Sequence, residues 1–174
     1  MTGYGIVTEA IDAEAKASSP PAFVVMLGVA GRAQALRIEL RAKNRVSSVH
    51  RDATSARPAS TLLQPEAEAT RFGRHPGTPL VRALRAAKVS ARLSRDCGRY
   101  VCNAAYWRML GAMPRKTEVV FVHIPLPSKP GVRKRDPRPG MVAMERALTA
   151  LVRGMIGRAR LGGCELLLSF PTHP

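Results

Sequence analysis

The chain has 174 residues, with 28 Lys and Arg against 12 Asp and Glu, a formal net charge of +16 and a pI near 11.3. With 45 % apolar and 23 % charged residues, the composition is that of one globular domain and excludes disorder throughout. Aromatics at 5 % are too few for a base-stacking platform, and no apolar run approaches the roughly 18 residues of a membrane span.

In chain order, residues 4–17 are predicted as a helix, because Tyr4, Val7 and Ile11 share one face while Glu9, Asp12 and Glu14 do not. Residues 22–27 form an apolar run of strand length ending in Gly28-Val-Ala-Gly31, the pattern of a buried parallel strand entering a tight turn. Residues 36–42 alternate apolar with polar, which predicts a half-buried strand with Glu39 near its middle. Residues 45–77 lack periodicity and read as one long loop, functional or mobile. A helix over 78–88 starts near Pro79 and aligns Leu80, Leu84 and Ala87; a short strand over 89–93 follows. Asp96-Cys-Gly98 marks a turn, residues 99–110 a helix, and residues 118–124 a strand stopped by Pro125. Met141, Met144, Leu148, Leu151 and Met155 recur at helical spacing and define a closing amphipathic helix, their stripe being core. The apolar run from Cys164 to Phe170 has no assigned element. Strands alternating with helices predict an α/β layered fold.

The opening residues lack a basic n-region and a signal-type apolar stretch, so the expected location is cytoplasmic. Cys97, Cys102 and Cys164 are odd in number and contain no C-x-x-C pair, which argues against a disulfide framework and a structural zinc site. The densest basic cluster lies between Lys129 and Arg138 in a Pro-broken stretch, the pattern of a surface loop. Without helix-turn-helix spacing, finger ligands or a long basic helix, the charge reads as a solvated Arg-rich surface with no specific nucleic acid as partner.

Three residues carry candidate chemistry. Cys102 sits where a turn feeds a helix, whose first-turn N–H groups favour negative charge. His123 lies at the end of an apolar strand, where sites in α/β sheets assemble. Glu39 adds a carboxylate able to orient an imidazole, completing nucleophile, base and orienter in the order Glu, Cys, His. Each alone has a blander reading: a buried small thiol, a core histidine, a solvent-facing glutamate.

The wording around them narrows the choice. Gly28-Val-Ala-Gly-Arg32 with Glu39 and Asn44, then Asp96-Cys-Gly-Arg-Tyr-Val-Cys102-Asn103, then Phe121-Val-His123-Ile-Pro125, occur in that order. Together they resemble pyroglutamyl peptidase type I, the pyrrolidone-carboxylate peptidase family of cysteine peptidases, over residues 4–157. The resemblance implies a three-layer α/β/α sandwich with a mixed, mostly parallel central sheet, spanning residues 1–157 ahead of a tail at 158–174. It also implies a peptide substrate with N-terminal pyroglutamate, no metal or organic cofactor, and self-association into a homo-oligomer. On that basis Cys102 is the expected nucleophile, His123 the general base and acid, and Glu39 its orienting carboxylate. Cys97 replaces the family's alanine and reads as a tolerated packing change. Family members open with a strand and a G-F-x-x-F-G-type loop that has no counterpart here, so the sequence reads as N-terminally truncated. The competing expectation is a catalytically inactive relative acting as a binding or scaffold protein.

Overall fold

The computed structural model describes residues 3–129 and 136–165, with side chains in the last stretch as far as Arg160. Its elements are α1 (Tyr4–Ala15), β1 (Phe23–Val29), β2 (Leu36–Glu39), β3 (Arg41–Lys43), β4 (Thr70–Phe72), α2 (Gly77–Ala86), β5 (Ala91–Ser94), α3 (Val101–Ala112), β6 (Glu118–Ile124) and α4 (Met141–Glu165). Most of the basic cluster falls outside the described residues, as does the apolar run from Leu166 onward.

The central sheet has the order β1-β6-β2-β5. β1 runs parallel to β6 and β5 parallel to β2, while β2 and β6 are antiparallel, so the sheet is mixed and mostly parallel. Side chains alternate across a strand, and each face therefore collects its own core. On one face Leu36, Ile38, Val120 and Val122 meet Leu80 and Leu84 of α2 and Met144, Leu151 and Met155 of α4. On the other, Val119 and Phe121 meet Ile11 of α1 and Tyr106, Trp107 and Leu110 of α3. The result is a three-layer α/β/α sandwich. Of the stripe predicted from spacing, Met144, Leu151 and Met155 are core at 3 % exposure or less and Leu148 packs against them, whereas Met141, in the first turn of α4, is 62 % exposed. Among the described residues no helix is long and apolar enough to cross a membrane.

The structure corrects three local expectations. The strand predicted over 36–42 breaks at Leu40 into β2 and β3, the latter turning away to pair antiparallel with β4. Consequently the predicted loop over 45–77 contains a strand. It is also pinned: the Asn44 side chain exchanges hydrogen bonds with the Gln64 backbone, and Asp52 caps α1 by accepting from Tyr4 N at 2.8 Å. Finally, β1 is not buried on both faces. It is an outer strand of the sheet, and Leu27 and Val29 are 53 % and 60 % exposed where its C-terminal end runs past the helices.

Candidate active site

Strand alternation puts Glu39 and His123 on the α3 face, because their neighbours Ile38 and Val122 point into the opposite core. In the antiparallel register Arg37 faces His123 and Glu39 faces Phe121, so Glu39 reaches His123 along the diagonal, a span long side chains bridge. His123 Nδ1–H donates to Glu39 Oε1 at 2.8 Å. The carboxylate is fully buried, which settles the choice between a solvent-facing and an inward glutamate. With Nδ1 committed, Nε2 is the ring nitrogen left for Cys102, which lies near enough to raise the imidazole. Burial alone would push this imidazole down. Hydrogen bonds to Cys102 and Glu39 and their negative charge outweigh it and hold His123 up at about 9, drawing it toward its charged form.

Cys102 is the second residue of α3, two positions nearer the helix start than the helix predicted over 99–110 puts it. The turn before it needs Gly98, whose φ of 83° lies in the left-handed region. Tyr100, at the N-cap, makes no side-chain capping hydrogen bond, so the first-turn N–H groups stay available to a negative charge developing beside Cys102. Cys102 is partly exposed. Gly28, paired with His123 in the sheet, makes room for it: a Cβ there would lie 3.0 Å from Cys102 Sγ and 2.8 Å from Phe121 Cζ. Gly28→Ala is therefore expected to displace the thiol and slow its alkylation by iodoacetamide about 100-fold, and to cost about 1–3 kcal/mol because the buried Phe121 ring must also shift. Timed mass spectrometry of the carbamidomethylated Cys102 peptide measures this.

Asn103 is the structural anchor of the motif. Its Oδ1 accepts from Lys43 N, and its Nδ2 donates to Lys43 O and Arg45 O, each at 2.8 Å, tying the start of α3 to β3. Asn103→Ala strands these backbone groups and should cost about 3 kcal/mol in urea unfolding. Cys97 is buried in the same core, and burial pushes its thiol up, leaving it no thiolate near neutral pH. That matches a packing role.

A groove of about 750 Å³ opens beside Cys102, lined by Met26, Leu27, Val29, Val101 and Phe121 among others and mainly apolar. Sequence reasoning missed His75 and Tyr106, which donate to the Glu39 carbonyl, and Gly73, whose N–H donates to the Leu40 carbonyl. Two of them lie in the segment read as loop, which carried no signal. Among the described residues no three His, Cys, Asp or Glu side chains converge as metal ligands.

Fold and site together define an α/β/α protein in which a helix-borne cysteine meets a histidine and a buried glutamate from neighbouring strands. The model of the pyroglutamyl peptidase family matches residues 3–159, and the chain belongs to that family. It is 34 % identical over 131 residues to a pyrrolidone-carboxylate peptidase of Gloeobacter violaceus, covering 74 % of this chain and 62 % of the relative. For the Thermococcus kodakarensis pyrrolidone-carboxylate peptidase the values are 32 % over 124 residues, 70 % and 59 %. The chain thus spans about three fifths of the length of these curated relatives. Among solved structures, pyrrolidone carboxyl peptidase from Thermus thermophilus superposes with a TM-score of 0.75 at 23 % identity, covering 86 % of this chain and 77 % of that one. The Fervidobacterium islandicum enzyme gives 0.76 at 21 %, covering 89 % and 78 %. These two structures bear out the sandwich.

Proposed function

We propose that the chain is a cysteine peptidase that removes N-terminal pyroglutamate from peptides, with Cys102, His123 and Glu39 as its catalytic residues. The observation that carries this is the buried Glu39–His123 hydrogen bond, with Cys102 beside the same imidazole and in the lining of an apolar groove. The apolar part of a five-membered lactam suits that groove, and the relatives named above are pyrrolidone-carboxylate peptidases.

In the proposed reaction His123 draws the thiol proton and Cys102 Sγ attacks the pyroglutamyl carbonyl carbon. First-turn N–H groups of α3 stabilise the resulting oxyanion. The C–N bond breaks as His123 delivers its proton to the leaving amine, leaving a thioester on Cys102. Water then attacks the thioester carbon, its proton passing to His123, and pyroglutamate departs as the thiol re-forms. Glu39 accepts from Nδ1–H throughout, fixing the ring so that Nε2 faces sulfur.

The test compares release of aminocoumarin from pyroglutamyl, prolyl and glutaminyl derivatives. The reading expects turnover of the pyroglutamyl substrate alone. A folded, monodisperse chain that hydrolyses none of them contradicts it and favours a binding or scaffold role.

A further inference from the structure

The Glu39 carboxylate is hydrogen-bonded to His123 through Oε1 only; Oε2 is buried with no hydrogen-bond partner, and Arg37 Nε stands 3.8 Å from Oε1. Hydrogen bonds to the carboxylate therefore do not by themselves set its direction. The sheet registers Glu39 with Phe121 of β6 and Ser94 of β5, but Glu39 is the last residue of β2: after Leu40 N donates to Ser94 O the chain turns away toward β3.

At this strand end the backbone is held in addition by groups from α3 and from the connection between β4 and α2. The Glu39 carbonyl accepts from Tyr106 Oη at 3.0 Å and from His75 Nε2 at 3.1 Å, which uses both of its lone pairs. The next carbonyl, of Leu40, accepts from Gly73 N at 2.8 Å. Gly73 has no side chain where one would collide with both Tyr106 Oη and His75 Nε2, so the close approach of all three groups depends on glycine at that position. A carbonyl oxygen only accepts, so His75 Nε2 carries a hydrogen. His75 Nδ1 is buried without a partner, and no acceptor awaits a second proton there. Burial accordingly pushes this imidazole down, with the Glu39 carbonyl and Glu118 opposing and Arg158 reinforcing the shift, so the ring is a neutral donor at pH 7.

We propose that His75 is a positioning residue: by donating Nε2–H to the Glu39 carbonyl beside the Tyr106 hydroxyl, it fixes the end of β2 so that the Glu39 carboxylate meets His123. The proposal rests on reading Glu39, His123 and Cys102 as one catalytic set, and deepens it by naming what aims the carboxylate. His75 touches neither substrate nor thiol. Its effect travels through Glu39 to the protonation of His123.

The test titrates the His123 ring by NMR in the full chain and in His75→Ala, His75→Gln and Tyr106→Phe, and follows Cys102 alkylation by iodoacetamide at pH 7. In His75→Ala the His123 midpoint is expected to fall from about 9 by roughly one unit toward its ordinary value of 6.5. Alkylation should slow about 10-fold, and kcat for a pyroglutamyl aminocoumarin should fall similarly with KM within about twofold. His75→Gln, whose amide N–H reaches the same carbonyl, should restore most of the wild-type behaviour. Tyr106→Phe, which keeps the ring but loses the hydroxyl, should shift the midpoint in the same direction. A folded His75→Ala protein with an unchanged His123 titration would overturn the proposal, as would equal defects in the alanine and glutamine variants. The titration and the alkylation involve no pyroglutamyl substrate, so they decide the role of His75 even if the chain hydrolyses none.

Discussion

Cys102→Ser is expected to lower turnover of a pyroglutamyl aminocoumarin by about 10⁴-fold or more while the protein stays folded. Serine is nearly isosteric with cysteine, and the partly exposed thiol donates little to the core, so circular dichroism and Tm should match those of the parent. The loss is chemical: a hydroxyl is far harder to deprotonate than a thiol, and the His123 and Glu39 pair is matched to sulfur. Initial rates at saturating substrate for the two proteins measure it. A variant that keeps more than a tenth of parental activity would move the nucleophile elsewhere.

Glu39→Gln should have the next largest effect, about 10²- to 10³-fold in kcat, because the amide removes the charge behind His123 and presents either an oxygen or an N–H to Nδ1. It also makes a pH prediction whose sign follows from the geometry. In the parent, the proton delivered to the leaving amine is lost as pH rises through about 9, so kcat should fall there. In Glu39→Gln that falling limb should move to lower pH. Stability responds through the same group. Because His123 stands above its ordinary value of 6.5, its stabilising contribution is fully present below 6.5 and is lost as pH rises through about 9. Urea titrations between those values should show a smaller decline in the variant than in the parent.

The layers and most helices were legible because their apolar residues repeat at one period over enough length. The α4 stripe and the run from Glu118 to Ile124 are of this kind. The hairpin of β3 and β4 was not, since three-residue strands carry no period and their pairing joins residues about thirty positions apart. Nor does an apolar run reveal how many strands flank it, which is why β1 read as buried and lies at the sheet margin. Cys102, His123 and Glu39 were found through the short motifs around them, and the structure brings them together. The groups holding the Glu39 carbonyl stayed hidden because they lie 36 and 67 residues away and include a histidine in an aperiodic stretch.

The central claim is that Cys102 sulfur takes the pyroglutamyl acyl group. The direct measurement is rapid mixing of the chain with pyroglutamyl aminocoumarin, acid quenching within the first turnovers, and peptide mapping by mass spectrometry. The account predicts a mass increment of one pyroglutamyl group on the Cys102 peptide, appearing with the first equivalent of released aminocoumarin. Release of aminocoumarin with Cys102 unmodified, or the same acyl group on another residue, would contradict it.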